Sequence, residues 1–291
     1  MTIDAVIPVY RPDDKFERLL KGLREQSVKL NKIIIMYTRD SETDHCRADG
    51  PDIEVHELSK NEFDHGGTRN KGVGFSEAEH VLLMTCDAVP ADRYLTERLL
   101  EGFADKKTAV CYARQLPAED ASLSERFSRE FNYPGTDRLK SAEDIKTMGI
   151  KAFFCSNVCA MYRRDIFNEL GGFVDRTVFN EDMIFARKAL DAGYCIQYKS
   201  DARVIHSHNF TNLQQFKRNM LIAGSQMEHP EVFGDVSSES EGVRYVKNAY
   251  AYFRKNRQSL MILPFVVTCG FRFAGYRVGK YKYRRSARSY K

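Results

Sequence analysis

The fold is decided by residues 63–90, FDHGGTRNKGVGFSEAEHVLLMTCDAVP. The pair Gly66-Gly67 lets the backbone come close to a ligand, and a helix is predicted just behind it, over residues 68–78. The apolar run at 81–85 predicts a buried strand that delivers one carboxylate, Asp87, at its carboxyl end. Ligands of open α/β sheets bind beyond the carboxyl ends of the strands. The stretch therefore predicts an α/β protein with an anion-binding site at this edge of its sheet.

Strands and helices alternate on both sides of this stretch. Apolar runs predict further strands at residues 2–9, 33–37, 53–58, 109–115, 156–163 and 203–208. Periodic spacing of apolar residues predicts helices at 13–27, 94–103, 164–173 and 181–194, and mostly helix after about residue 210. This alternation predicts a Rossmann-like, mostly parallel central sheet flanked by helices on both faces.

Charge is distributed unevenly along the 291 residues. The net charge is +5, but Gly242–Lys291 holds thirteen Lys or Arg and no Asp or Glu, which leaves 32 basic against 40 acidic residues before it. Basic tails bind nucleic acid or anionic membranes, and the acidic body without a nucleic-acid motif argues against nucleic acid. The apolar run at 260–269 is too short for the roughly 20 residues of a spanning helix. We therefore expect a basic extension that lies on a membrane surface, with a solubilising or dimer-forming helical tail as the alternative.

Cysteine usage and the N-terminus indicate the compartment. The seven Cys are odd in number and scattered, with no C-x-x-C pair, and the chain opens directly on a strand without a basic-then-apolar leader. Both features are typical of reduced thiols in a cytoplasmic protein.

Polar residues around the glycines and after the strand suit a phosphate-linked substrate. An arginine next to a helix N-terminus can bind phosphate in a bidentate manner, and a carboxylate at a strand end can hold Mg²⁺ or Mn²⁺ beside substrate phosphates. The residues that carry this hypothesis are Asp64, His65, Gly66, Gly67, Arg69, Asn70 and Asp87. The alternatives are a tight turn at the glycines and a helix cap at Asp87.

Two later motifs add a candidate base and candidate ligands. Glu181 and Asp182 stand at a helix start, where they would either stabilise the helix N-terminus or supply a general base. His206 and His208 end a strand and point to the same side, which gives a metal or phosphate contact and a purely structural role about equal weight.

The chain resembles the inverting family-2 glycosyltransferases, and among them the bacterial rhamnosyltransferases of surface polysaccharide assembly. The resemblance covers roughly residues 3–220 and rests on motifs that occur in the family order: IPVY at 7–10, FDHGGTRN at 63–70, TCDAVP at 85–90, RQLP at 114–117, FNYP at 131–134, FFCSNV at 153–158, GGF–NED at 171–182 and VIHSHNF at 204–210. FDHGGTRN and HSHNF together are the specific part of this match.

The resemblance implies a GT-A fold and a role for each motif. It implies a nucleotide-sugar donor, dTDP-L-rhamnose in the first place and a UDP-sugar in the second. Asp182 matches the catalytic base, Asp87 the diphosphate- and metal-binding Asp, and His206 or else His208 a metal contact. Matches to donor-binding positions are Pro8, Val9, Tyr10, Arg69 and, beside Asp87, Ala88. Asn157 and Glu181 are expected to contact acceptor or donor.

The chain departs from the family where the nucleotide base is read. Thr38 stands where an acidic residue is common, with Asp40 close by, so both are candidates for the base contact. The metal motif supplies one carboxylate rather than two.

The implied enzyme has a catalytic domain at 1–215, with a nucleotide half at about 1–115 and an acceptor half at about 116–215, and a helical basic extension at 216–291. It would transfer a sugar with inversion to a lipid-linked or polysaccharide acceptor, using a divalent metal, at the inner face of the membrane, with a homodimer as a further expectation. The alternatives are a catalytically silent nucleotide-sugar binder and a sugar nucleotidyltransferase. The latter would carry its glycine-rich loop after the first strand, where this chain reads VYRPDDK.

Overall fold

One mixed sheet forms the centre of the protein. The computed structural model describes residues 1–236 and 239–289. Within these residues the strands are β1 (Ile3–Val9), β2 (Lys32–Arg39), β3 (Ile53–Ser59), β4 (His80–Met84), β5 (Val89–Pro90), β6 (Thr108–Leu116), β7 (Arg138–Lys140), β8 (Cys159–Arg163) and β9 (Cys195–Ile205). Their spatial order is β3-β2-β1-β4-β8-β6-β9-β5, and β7 pairs with β9.

Helices cover both faces of this sheet. They are α1 (Asp14–Arg24), α2 (His65–Gly74), α3 (Leu95–Glu101), α4 (Leu123–Asn132), α5 (Ile145–Met148), α6 (Arg164–Glu169), α7 (Glu181–Asp191), α8 (Asn212–Glu228), α9 (Pro230–Phe233), α10 (Glu239–Lys255) and α11 (Ile262–Ser289). Two apolar clusters fill the space between sheet and helices, one on each face.

The first half of the sheet is parallel, as the alternating sequence pattern predicts. β1 pairs in parallel with β2 and β4, and β2 pairs in parallel with β3. Nearly every residue of β1, β2 and β4 is buried, because helices cover both faces of these strands. Their carboxyl ends therefore meet at one edge of the sheet.

The second half is less parallel than expected, because β5 and β7 run antiparallel to β9 and β8 enters the sheet in the opposite direction to its neighbours. β8 is antiparallel to both of its neighbours, β4 and β6. The chain leaves β6 at the carboxyl edge, forms α4 and the irregular segment there, and enters β8 from the same side. An antiparallel neighbour needs no crossover connection. The residues that precede β8 consequently lie at the same edge as Asp87.

The C-terminal helices pack on the body of the protein around a third apolar cluster. Phe127 of α4 meets Phe253 of α10 and Phe265 of α11 there. The division at residue 215 stays a prediction; this position lies inside α8. Of the predicted extension, residues 237–238 and 290–291 lie outside the described residues.

The C-terminal helical stretch is longer and apolar over more residues than the sequence pattern predicts. Ser259–Arg285 forms 27 helical residues, and a stretch of 18 residues within it has a mean hydropathy of 1.4, which is long and apolar enough to cross a membrane by length and composition alone. The apolar run was expected to end at residue 269, but Ala274 and Val278 continue it, and only Arg272 and Arg277 interrupt it before residue 280. Length and composition are weak evidence of a span, since a core helix of a soluble protein passes the same test.

Candidate active site

A pocket with a volume of about 570 Å³ opens at the carboxyl edge of the sheet. Asp87, which follows β4, and Asp182, in the first turn of α7, both line it. Side chains from α2, α4, α8 and α11 complete its walls. The two carboxylates that are far apart in sequence thus face one shared space.

Asp87 forms a cluster with the two histidines that follow β9. Oδ2 of Asp87 lies 3.4 Å from Nε2 of His206 and 3.2 Å from Nε2 of His208, and the two Nε2 atoms are 3.1 Å apart. One potential ligand atom from each residue lies within 4.8 Å of the others. Nδ1 of His206 lies 2.9 Å from Oε1 of Gln115 and donates to it, so Nε2 of His206 presents a lone pair to the cluster.

Burial and hydrogen bonding shift the pKa values of this cluster. Burial opposes ionisation of Asp87, but its close contacts with the rings of His206 and His208 outweigh burial and hold the pKa of Asp87 well below its usual range. Burial lowers the pKa of His206 despite the neighbouring carboxylate. A carboxylate and neutral imidazoles are the protonation states that bind a metal ion.

Asp182 is held by backbone N–H groups at the start of α7. Oδ2 accepts a 3.1 Å hydrogen bond from the N–H of Asn157, and Oδ1 accepts one of 2.8 Å from the N–H of Met183. The preceding Asn180 adopts a left-handed conformation, with φ of 69°, which turns the chain into the helix. Burial, reinforced by the adjacent Glu181, raises the pKa of Asp182 to about 7. Asp182 therefore has the pKa of a base that works near neutral pH.

Glu181 forms a buried ion pair with Arg69. The side chains of Glu181 and Arg69 are 8% and 5% exposed, and NH1 of Arg69 lies 3.4 Å from Oε1 of Glu181. The side-chain amide of Asn157 also donates to Glu181, at 3.1 Å. The guanidinium of Arg69 also donates to the carbonyl of His65, at 2.8 Å, and its expected contact with nucleotide phosphate stays a prediction.

The FDHGGTRN segment joins α2 to the loop that leads to α7. Asp64 caps α2 through a 2.6 Å bond from the N–H of Gly67, and α2 begins at His65, three residues before the predicted start. A Cβ on Gly66 would lie 2.0 Å from the carbonyl oxygen of Val174. Asn70 exchanges two 2.9 Å hydrogen bonds with the backbone of Phe173. Gly66 therefore allows close backbone packing against this loop, and the expected phosphate contact of Gly66 and Gly67 stays a prediction. From this segment, His65 and Arg69 line the pocket.

The predicted contacts to the base and ribose lie at the ends of β1 and β2, outside the lining of the pocket. Asp40 accepts a 2.9 Å hydrogen bond from the hydroxyl of Tyr10 and pairs with Arg11 and Lys60. These hydrogen bonds hold the pKa of Asp40 well below its usual range. Thr38 is buried, and its hydroxyl has no hydrogen-bond partner among the described residues. Pro8 and Val9, at the end of β1, are also predicted to contact the base and ribose. Ala88, a predicted donor contact beside Asp87, is fully buried.

Several residues that line the pocket were not predicted from the sequence. Gln115 joins the His206 ring to the hydroxyls of Tyr133, at 2.5 Å, and Ser156, at 3.0 Å. RQLP and FNYP contributed to the resemblance, but neither motif indicated this network. Arg218 and Arg272 come from α8 and α11, where helical periodicity gives no sign of a site.

Comparison with known proteins identifies relatives over most of the chain. Residues 4–171 match the family model Glycosyl transferase family 2. The chain is 34% identical over 284 residues to the O-antigen chain rhamnosyltransferase RfbN of Salmonella typhimurium, covering 97% of this chain and 90% of that protein. It is 33% identical over 279 residues to the O-antigen chain rhamnosyltransferase WbaN of Salmonella anatum, covering 95% and 88%.

Solved structures show the same fold at low sequence identity. The mannosyltransferase PcManGT of Pyrobaculum calidifontis, in complex with GDP-Man and Mn²⁺, superposes with a TM-score of 0.56 at 12% identity, covering 92% of this chain and 85% of that one. Residues 1–349 of S. aureus TarS, in complex with UDP-GlcNAc, give 0.55 at 14% identity, covering 98% and 92%. The predicted family and GT-A fold are confirmed.

Proposed function

The chain belongs to glycosyl transferase family 2, and we propose that it transfers L-rhamnose from dTDP-L-rhamnose, with inversion, to a hydroxyl group of a lipid-linked or polysaccharide acceptor. The names of the relatives RfbN and WbaN support rhamnose as the sugar and a cell-envelope glycan as the product. The observation that carries the proposal is that Asp182 and the Asp87–His206–His208 cluster line the same pocket. A base and a diphosphate-binding site in one pocket are the two groups that a single-displacement transfer of the sugar requires.

Asp182 is the proposed catalytic base. It removes the proton from the acceptor hydroxyl, whose oxygen attacks the anomeric carbon from the face opposite the diphosphate. The bond to the diphosphate oxygen breaks as the new glycosidic bond forms, which inverts the anomeric centre. A base with a pKa of about 7 is half ionised at neutral pH and still basic enough to take the proton. Asn157 and Glu181 orient Asp182 and the reacting sugars around it.

Asp87, His206 and His208 would hold the divalent metal ion. The donor set fits the group, because the lone pair on Nε2 of His206 faces a second imidazole nitrogen and a carboxylate oxygen at hydrogen-bonding distances. Imidazole and carboxylate ligands together suit Mn²⁺. A bound metal ion supplies positive charge that stabilises the departing diphosphate. PcManGT, with the same fold, was solved with Mn²⁺.

The ends of β1 and β2 are the proposed nucleotide site. Pro8, Val9 and Tyr10 would contact base and ribose, with Thr38 and Asp40 as the base-reading candidates. Asp64, which caps α2, and Gly67 and Asn70, within α2, are further proposed donor contacts, and Ala88 would lie beside the diphosphate. Because Asp40 already binds Tyr10, Arg11 and Lys60, we propose that it orders this loop before the nucleotide arrives.

The basic helical extension is the proposed membrane contact of a cytoplasmic enzyme. Each Lys or Arg near an anionic surface contributes about 1 kcal/mol to binding. Flotation of the full chain with vesicles tests this: binding to anionic vesicles and release by salt is expected, and equal binding to neutral vesicles in high salt would contradict the electrostatic contact.

Binding and transfer are tested separately. We expect dTDP-L-rhamnose to raise the unfolding temperature more than UDP-glucose or GDP-mannose does, and more strongly with Mn²⁺ than with a chelator. Transfer of labelled rhamnose to lipid-linked glycans of a membrane preparation is the activity assay. Asp182→Asn should keep the thermal shift and lose about 10²–10⁴-fold in transfer rate. Asp191→Asn, on the exposed end of α7, is the matched control.

Full transfer activity of Asp182→Asn would rule out its role as the base. Stabilisation by another nucleotide sugar in preference to dTDP-L-rhamnose would overturn the proposed donor. Release of dTDP at the same slow rate with and without acceptor membranes would instead indicate a silent nucleotide-sugar binder.

A further inference from the structure

Two arginines on the C-terminal helices face the pocket without a carboxylate partner. Arg218 of α8 and Arg272 of α11 both line it, and neither forms an ion pair with any carboxylate in the described part of the chain. The other two pocket arginines are paired: Arg69 with Glu181, and Arg129 with Glu125 at 2.6 Å. The C-terminal wall of the pocket therefore carries positive charge that the protein itself does not neutralise.

Aromatic rings hold the guanidinium of Arg218. Its Cζ lies 4.8 Å from the ring centre of Phe179 and 5.7 Å from that of Phe210. Phe210 in turn stacks on His208, with ring centres 5.0 Å apart. Arg218 thus stands next to the Asp/His cluster on one side and next to the segment leading to Asp182 on the other. Stacking on π faces leaves the N–H groups of a guanidinium available for an anion in the ring plane.

Arg272 is held by neutral partners. Its Nε donates to Oε1 of Gln215 at 3.1 Å, and NH1 donates to the hydroxyl of Tyr245 at 3.0 Å. Burial, together with the nearby positive charges of Arg129 and Arg272, lowers the pKa of Arg218. Like charges gathered in one cavity repel each other, and an anionic ligand removes that repulsion. The geometry therefore suits phosphate oxygens.

The outer face of α11 is apolar beside this cation. Phe271 and Phe273, on either side of Arg272, are 40% and 60% exposed. Closer to the N-terminus of α11, the exposed apolar side chains are those of Leu263, Val266 and Val267. A helix that turns a cation into a pocket and apolar side chains outwards matches an amphiphile with an anionic head and an apolar chain.

We propose that Arg218 and Arg272 bind the phosphate or diphosphate of a lipid-linked acceptor, whose lipid chain leaves the pocket along α11. This proposal rests on the proposed function and names its acceptor. Because Arg218 and Asp182 line the same pocket, a phosphate bound by Arg218 lies in the space that holds the reacting hydroxyl. The accepted substrate is then a short glycan joined to the lipid phosphate, rather than the far end of a long polysaccharide. The donor diphosphate is bound separately, at the Asp87 edge.

Farnesyl diphosphate is the probe, titrated into the full chain in the presence of a chelator so that a metal ion does not contribute. Wild type should bind it, and farnesol should bind far more weakly. Arg218→Gln and Arg272→Gln should each weaken farnesyl diphosphate binding about tenfold or more, because each removes charge-assisted hydrogen bonds. Binding of dTDP with Mn²⁺ should change by less than about twofold. Arg277→Gln is the matched control, since Arg277 is an exposed arginine on the same helix outside the pocket.

Three outcomes would overturn the proposal: wild type that does not bind farnesyl diphosphate, variants that bind it as tightly as wild type does, and variants that lose dTDP affinity by the same factor. The last outcome would assign both arginines to the donor diphosphate. Arg218→Lys and Arg272→Lys, which keep the charge, should retain more affinity than the Gln variants and guard against misfolding as the cause. Thermal shifts with dTDP-L-rhamnose test the proposed function independently, so its failure is distinguishable.

Discussion

The backbone N–H of Asn157 donates a hydrogen bond of 3.1 Å to Oδ2 of Asp182. This contact follows from the strand order. Because β8 runs antiparallel to β4 and β6, the residues just before it lie at the carboxyl edge of the sheet, beside Asp87 and Gln115. The adjacent Ser156 accepts a 3.0 Å hydrogen bond from Gln115, which also accepts from His206. A continuous polar network thus connects the proposed metal site to the proposed base.

The raised pKa of Asp182 predicts how transfer depends on pH. Its pKa lies at about 7 rather than at 3.8, so below pH 7 the carboxyl group is increasingly protonated and unable to act as a base. We expect the transfer rate at saturating donor to fall about tenfold for each pH unit below that value and to level off above it. The measurement is a pH–rate profile with labelled donor. A profile that is flat between pH 5 and pH 8 would contradict the assignment.

The same shift predicts an effect on stability. A carboxyl group whose folded pKa exceeds its unfolded value binds more protons when folded, so its contribution to stability decreases as the pH rises from 3.8 towards 7. Asp182→Asn removes this dependence. Denaturant unfolding of both proteins at pH 5 and pH 8 should therefore show a more favourable effect of the variant at pH 8.

Gln115 is predicted to orient the metal ligand His206. Replacing it by Leu removes the acceptor of the Nδ1 hydrogen bond, and loss of such a partner lowers metal affinity by about 10- to 100-fold. Titration of Mn²⁺, followed by electron paramagnetic resonance, measures the affinity without requiring activity. Gln197→Leu, on β9 outside the pocket lining, should bind Mn²⁺ as wild type does. Equal Mn²⁺ affinity of Gln115→Leu and wild type would show that the imidazole is oriented by other contacts.

The sequence predicts the parts of this site that depend on local pattern. Buried strands with a polar residue at the end place Asp87 and His206 at one edge, and motif order singles out Asp182. Contacts between distant segments are different, because they depend on how side chains pack. Nothing in the local sequence indicates that Arg69 pairs with Glu181 across the fold. Likewise Gly66 serves close backbone packing against Val174. Arg218 and Arg272 meet only because α8 and α11 pack together.

The buried ion pair of Arg69 and Glu181 predicts a strong asymmetry between single and double variants. Arg69→Met leaves Glu181 charged and buried, which should lower the free energy of unfolding by about 3–5 kcal/mol. The double variant Arg69→Met, Glu181→Gln should recover much of this loss, since no unpaired charge remains. Urea unfolding measures all three proteins. Arg24→Met, at the exposed pair with Asp52, should cost less than about 1 kcal/mol. If both single arginine variants lose the same amount, the pair is not effectively desolvated.

Two glycines of α11 predict opposite effects of the same substitution. A Cβ on Gly275 would lie 2.2 Å from the carbonyl oxygen of Phe216 on α8, whereas a Cβ on Gly270 would meet nothing within 4 Å. Gly275→Ala should therefore force the two helices apart and lower stability by about 1–3 kcal/mol. Gly270→Ala should raise it by up to about 1 kcal/mol, because alanine favours the helix. Thermal unfolding compares the two variants. Because Arg218 and Arg272 lie on these helices, Gly275→Ala should also weaken farnesyl diphosphate binding, and Gly270→Ala should not. Equal stability of the two variants would show that α8 and α11 do not pack this closely.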